Sequence, residues 1–313
     1  MAKFLIRRLL SLIPVMLVVA VVVFALLRWV PGDPAAVLAG DAATTAQVEE
    51  LRVQLGLDQP VHKQFAIWAS RLARGDLGES FYFKMPVRQL IAQRMEPTIA
   101  LGLLALGIGV LIAVPLGVWA AFRKGSWIDR SVLAGSALGF SLPAFVVGYV
   151  LMYVFAIRLN WFPVQGYSRL AEGVAPFLER LILPAVTLSL IYIALVARIT
   201  RTSVLEVLNE DFIRTARSKG LTDFEVLARH ALRNAAVPVL TVVGLGLGLL
   251  VGGAVVTESV FSIPGLGRLT VEAVLSRDFP VIQALILFFS LGFVVVNLLC
   301  DIGYAFLDPR IRY

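Results

Sequence analysis

Six stretches of this chain contain no Asp, Glu, Lys or Arg: residues 9–27, 97–122, 131–157, 181–197, 235–257 and 279–300. A helix rising 1.5 Å per residue needs about 20 apolar residues to cross a hydrocarbon core of about 30 Å. Five of the stretches are 19–27 residues long, and the fourth, at 17, can extend into its flanks. A water-soluble core could not hide six such helices in 313 residues. The pattern predicts an all-α polytopic membrane protein with six transmembrane helices, since lipid tolerates only backbone that bonds to itself. The first stretch follows Lys3, Arg7 and Arg8 but exceeds a signal-peptide core, and 36–40 is a weak cleavage site, so it is expected to remain as a helix.

Six crossings put both termini on one side. The loops there (1–8, 123–130, 198–234, 301–313) hold 15 Lys+Arg against 8 Asp+Glu, whereas 28–96, 158–180 and 258–278 hold 13 of each. The whole formal excess of +7 thus lies on the terminal side, which the positive-inside rule assigns to the cytoplasm. That topology accounts for the basic composition; no aromatic–basic motif supports nucleic-acid binding. Two regions follow: 1–96, a first span with a long outer loop, and 97–313, a five-helix core. The outer loop carries a helical pattern at Val61, Phe65, Trp68 and Leu72, which suits either the membrane interface or packing on another outer element. Trp29, Trp127 and Trp161 fall near span ends, as interfacial anchors do.

The loop 198–234 is the most patterned polar segment. Its first half reads as a helix continuing from span four, with Val204, Leu205, Leu208, Phe212 and Ile213 on an apolar side. Arg217 and Lys219 suit its last turn, and Gly220 suits a left-handed closing position. Thr222 then caps a new helix, Glu225 completes a capping box, and Leu221 and Val226 occupy staple positions, with Asp223 in the first turn. Leu221, Phe224, Leu227, Ala228, Ala231, Leu232 and Ala235 give a short amphipathic helix. It suits a helix lying on lipid or a rigid knob docking into a soluble partner.

No phosphate loop, His-Glu-x-x-His motif or other nucleotide or metal signature occurs, and the only histidines, His62 and His230, fall on opposite predicted sides. Cys300 is expected to be packing. The spans hold no carboxylate, which argues against intramembrane aspartyl proteolysis and against ion coupling inside the helices. They do hold Gly244, Gly248 and Gly252 at every fourth residue, spacing that lets helices approach closely, and Gly135 and Gly139 repeat it. Pro115, Pro143 and Pro184 suggest kinks or breaks. Among polar span residues, Thr98, Ser136, Ser141, Tyr149, Tyr153, Thr187, Ser189, Tyr192, Thr241 and Asn297 either face a central passage or bond between or along helices. The residues alone therefore point to a transport or channel subunit energised from elsewhere, with no catalytic, cofactor or metal site of its own.

Glu210-Asp211-Phe212-Ile213-Arg214-Thr215-Ala216-Arg217-Ser218-Lys219-Gly220-Leu221 and Arg229-His230-Ala231-Leu232-Arg233-Asn234 resemble the cytoplasmic loop of permeases in bacterial binding-protein-dependent ABC importers. The family's acidic-Ala-Ala triplet is here Arg214, Thr215 and Ala216, and its Leu-Pro is Leu232-Arg233, departures that match the peptide-transport branch. The start Phe4-Leu5-Ile6-Arg7-Arg8 through Pro31-Gly32-Asp33-Pro34 is similar to the first permease subunit of that branch. So are Leu55-Gly56-Leu57-Asp58-Gln59-Pro60, Gly75-Asp76-Leu77-Gly78-Glu79-Ser80, and Glu258-Ser259-Val260-Phe261-Ser262-Ile263-Pro264-Gly265-Leu266-Gly267. The tail, Asp301-Ile302-Gly303-Tyr304 with Asp308-Pro309-Arg310-Ile311-Arg312, completes the set.

The resemblance implies a type I importer permease fold in a bacterial cytoplasmic (inner) membrane. It further implies a homologous second permease, two ATP-binding subunits holding ATP and Mg2+, and a periplasmic or lipid-anchored substrate-binding protein. The solute would be a dipeptide or short oligopeptide; glutathione, haem or a nickel chelate on the same architecture, or a non-ABC channel or scaffold, are the alternatives. The helix at 221–233 would be the coupling helix. Gly220 would be its hinge-like terminus, Leu221, Phe224 and Leu227 its apolar docking face, and Arg217, Lys219, Asp223, Arg229 and Arg233 the polar surround. Pro264, Gly265 and Gly267 would shape an outer loop, with Glu258 expected at its rim.

Overall fold

A computed structural model describes residues 2–29, 35–36, 44–54 and 56–307. The Pro31-to-Pro34 segment and the tail beyond Leu307 lie outside them. Eleven helices are followed here: α1 (Ala2–Trp29), α2 (Thr45–Gln54), α3 (Val61–Ala73), α4 (Val87–Phe122), α5 (Trp127–Ser141), α6 (Ala144–Leu151), α7 (Val174–Leu208), α8 (Asp211–Ser218), α9 (Asp223–Val260), α10 (Leu266–Leu275) and α11 (Phe279–Leu307). Among the described residues the sole extended pairing is one isolated bridge, Glu79 with Pro86. Helices α4, α7, α9 and Phe279–Tyr304 of α11 are each long and apolar enough to cross a membrane. The apolar run of α1 is Leu10–Leu26.

The third charge-free stretch is not one rod. Helix α5 ends at Ser141, Leu142 turns extended (φ −92°, ψ 123°), and α6 starts after Pro143 and runs on through a wider π-type segment, Met152–Arg158. The two halves meet at 103°. A proline disfavours helical geometry in the residue before it, which is where the chain turns. Pro115 and Pro184, expected to do the same, lie inside the uninterrupted α4 and α7. Neighbouring helices can satisfy the carbonyl a buried proline frees. The short fourth stretch is the middle of the 35-residue α7.

Two compact units divide the chain, Met1–Met95 with Leu269–Gly292, and Glu96–Arg268 with Phe293–Tyr313. In the first, the pattern at 61–72 forms α3 and packs on the first span itself. Phe24 stands 5.1 Å from the Phe65 ring and 5.6 Å from Trp68, centroid to centroid. Asp278, fully buried just before α11, accepts from the Ser80 hydroxyl and from the amides of Phe81 and Tyr82 at 3.1 Å each. Arg94 and Glu272 pair at 2.8 Å in the same unit.

The second unit is built around Tyr192 of α7, which is 1% exposed. Its ring lies against Gly109 of α4 and Gly246 of α9; a Cβ at either glycine would stand 2.3 Å from a ring atom. The hydroxyl donates to the Val243 carbonyl at 3.2 Å. Leu101, Ala105, Leu188, Val196, Leu250, Ala254, Phe261 and Ile263 belong to the same apolar cluster. Nearer the other end of α7, Arg201 makes a two-point ion pair with buried Asp129 of α5, Nη2 to Oδ2 at 2.8 Å.

The glycine row of α9 divides in use. A Cβ on Gly244 would meet Cys300 Sγ at 2.2 Å, one on Gly248 would touch Phe293 at 3.4 Å, and one on Gly252 would meet nothing within 4 Å. Gly139 sits tightly on Ala194, whereas Gly135 is open. Cys300 is thus a packing residue on Gly244. Tyr192→Ala should lower the unfolding free energy of the detergent-purified protein by about 3–5 kcal/mol, the cost of an emptied aromatic site. Tyr192→Phe should cost about 1 kcal/mol, one hydrogen bond, both read by thermal unfolding.

Candidate functional site

Two ends of α9 carry most of the patterned polar residues. At its first end the chain makes an elbow. Helix α7 stops at Leu208 and α8 starts afresh at Asp211, so the expected continuation of span four is interrupted at Asn209 and Glu210. The restart rotates the predicted apolar side: Ile213 is buried but Phe212 is 43% exposed. Helix α8 then closes as its sequence suggests. Gly220 has φ +86°, its amide donates to Arg217, and the Leu221 amide donates to Ala216, the paired bonds of a Schellman end. A side chain at Gly220 would have open space but a strained backbone.

One residue later the next helix is capped in both directions. The Thr222 amide donates to the Glu225 carboxylate at 3.0 Å, and the Glu225 amide donates to the Thr222 hydroxyl at 3.4 Å. Arg217 and Asp223 pair across the turn at 3.5 Å, both largely exposed. Leu221 packs on Ile213, Ala216 and Val226, which joins the staple to the end of α8. Leu227 packs on Ala121, Val204 and Ala235. Of the three residues expected to form an apolar docking face, two are therefore turned onto the protein itself. Phe224 is left, 77% exposed. Lys219, Arg229 and Arg233 are exposed as well.

The segment 221–233 is not a separate short helix. It runs through a π-type stretch, Val226–Ala231, straight into the apolar span, giving one helical rod from Asp223 to Val260. No glycine lies between Asp223 and Gly244, and Pro238 sits inside the helix, so nothing terminates it at Ala235.

At the other end, α9 overruns the charge-free stretch by one turn and buries Glu258 completely. The expected rim position is corrected: the turn after the helix folds back over the carboxylate. Thr98 of α4 donates to Glu258 Oε1 at 2.6 Å, and the Arg268 amide donates to Oε2 at 2.9 Å. The same Thr98 hydroxyl accepts from the Leu266 amide at 2.7 Å. Gly265 and Gly267 are there for room, since a Cβ would stand 2.3 Å and 2.9 Å from carboxylate atoms. Phe261 is 2% exposed and belongs to the apolar cluster, while Pro264 sits on the outside of the turn.

The polar span residues separate into two groups. Tyr192, Thr187 and Ser136 are buried, Thr187 donating to the Leu183 carbonyl one turn back, so all three are enclosed by this chain's own helices. Ser141, Tyr149 and Tyr153 are exposed and Asn297 half-buried; Arg158 Nε donates to the Tyr153 hydroxyl at 2.7 Å. Reading the sequence missed the Asp129–Arg201 pair and the Asp278 cradle. Ser126 and Asp129, spaced as a helix start, were the available signal for the first; Asp278 had none.

Residues 113–313 match the family model described as binding-protein-dependent transport system inner membrane component, and residues 1–102 match the N-terminal component described for the same systems. A probable peptide ABC transporter permease protein of Sinorhizobium fredii is 50% identical over 313 residues, with 100% of both chains covered. A putative peptide transport system permease protein of Brucella abortus is 46% identical, again over 100% of both. The glutathione transport system permease protein GsiC of Salmonella choleraesuis is 43% identical with the same coverage. A solved structure of the MetNI methionine ABC transporter, in inward facing conformations, has TM-score 0.59 and 17% identity, covering 70% of this chain and 97% of that one. At that identity it speaks for the fold.

Glu258→Ala strips a buried acceptor from two half-buried donors and should cost about 2–5 kcal/mol, whereas Glu258→Gln, which keeps one acceptor oxygen, should cost less. Thermal unfolding of the purified protein, ranked wild type, Gln, Ala, is the check.

Proposed function

The chain belongs to the family of inner membrane components of binding-protein-dependent transport systems, and from that membership we propose that it is the permease subunit of an ATP-driven importer of dipeptides or short oligopeptides. Its fold is that of a type I importer permease. The observation that carries the solute class is full-length identity of 46–50% to permeases named for peptide transport. The 43% identity to a glutathione permease keeps that tripeptide as a second reading.

In this proposal the chain supplies half of a passage and a homologous second permease the other half. Two ATPases on the cytoplasmic side hold ATP and Mg2+, and a binding protein delivers solute from outside. Both termini then face the cytoplasm, as the charge distribution favours. The elbow at 217–233 is where an ATPase would grip: Phe224 is the exposed apolar contact, and exposed Lys219, Asp223, Arg229 and Arg233 are charged groups of the same segment.

The rod geometry supports this role. A push at Asp223 reaches the far turn through a single helix of 38 residues, about 57 Å long. A Schellman end, a capping box and the Leu221 staple hold the elbow rigid, so displacement is transmitted rather than absorbed.

Gly220→Pro and Leu221→Asp should abolish import in the assembled complex while membrane insertion persists. Phe224→Asp should reduce co-purification of the ATPase by about tenfold or more without lowering the Tm of the isolated permease. Normal uptake with Gly220→Pro, or full ATPase retention with Phe224→Asp, removes the coupling assignment.

A further inference from the structure

From Leu181 to Thr200, helix α7 has one exposed residue, and it is charged. Every other position there is buried or half-buried; Arg198 alone is exposed. In the most apolar window of α7, 56% of the residues are buried, against 22–39% for the other single spans. The guanidinium lies 5.3 Å from the centroid of the Phe140 ring. Among the described residues no carboxylate pairs with it.

Its direction is informative. Helices α5 and α7 run antiparallel, since Asp129 meets Arg201 and Gly139 meets Ala194. Phe140 is therefore level with the part of α7 before Arg198, inside both charge-free stretches, 131–157 and 181–197. Arginines near a span end ordinarily reach outward to the interface. Arg198 instead stands against the Phe140 ring, where Arg201 one turn later is held by Asp129. An ionisable side chain on a spanning helix that packs on a ring of a charge-free stretch is of the kind that faces a bundle interior or a water-filled cavity and marks solute paths.

We propose that Arg198 lines the translocation passage and recognises a carboxylate of the passing solute, an inference that rests on the importer reading above. The guanidinium fork matches a carboxylate in two-point geometry, and the Phe140 ring steadies the cation from one side without consuming its N–H donors. Peptides and glutathione share this group: each carries at least one carboxylate.

The test uses the whole importer reconstituted in vesicles, with uptake of a free-acid dipeptide compared with its C-terminal amide. Arg198→Gln should lower the acid-to-amide uptake ratio by about tenfold, the value of one charge-assisted hydrogen bond, and Arg198→Lys should restore part of it. A second measurement needs no amide: in a Cys300→Ser background, Arg198→Cys should react with a water-soluble methanethiosulfonate reagent. An unchanged ratio, or no reaction at that cysteine, overturns the inference while the importer reading stands. A loss that depends on anionic against zwitterionic vesicles, and not on the substrate carboxylate, assigns Arg198 to lipid phosphate and also overturns it. A wild-type complex that imports neither peptide form removes the peptide reading and this inference with it.

Discussion

A carbonyl or amide left without a partner in hydrocarbon costs several kcal/mol, and that one constraint organises the molecule. The spans are helices because helices satisfy their own backbone. What they cannot satisfy is their ends, and there the chain concentrates polar side chains. Asp278 gathers amides at the start of α11, Glu258 gathers a hydroxyl and an amide at the end of α9, and Thr222 with Glu225 closes the start of the same rod. Between the ends, association relies on close approach, as where Tyr192 fits between Gly109 and Gly246 and Cys300 lies on Gly244.

Legibility followed the range of the interactions. Gly220, the Thr222–Glu225 box and the Leu221–Val226 staple are local, set by residues within a few positions, and each was readable in the string of letters. The apolar stretches were readable for the same reason. Glu258 was not: its burial depends on Thr98, 160 positions away, and on a turn that folds back. Tyr192 looked like a polar residue available to a passage because nothing in its neighbourhood announces two distant glycines. The helix break at Asn209 and the absence of one at Ala235 were missed in opposite directions, since periodicity marks faces better than it marks ends.

The proposed coupling draws on both kinds of contact. Local caps make the elbow stiff, and long-range packing against α6 and α7 holds the rod beyond it. Turning Leu221 and Leu227 inward leaves Phe224 as the apolar contact offered to a partner, on a segment that also exposes charged side chains. Such a surface suits an attachment formed by one aromatic anchor in a pocket, with charge setting its orientation.

The π-type stretch at Val226–Ala231 adds something to this rod that its length does not convey. One extra residue per widened turn resets the azimuth of everything downstream by about 100° relative to an unbroken α-helix. The direction in which Phe224 points and the direction in which Gly246 meets Tyr192 are thus indexed to each other by a single residue of slack. Deleting one residue there would leave a perfectly good helix, facing the wrong way at one end.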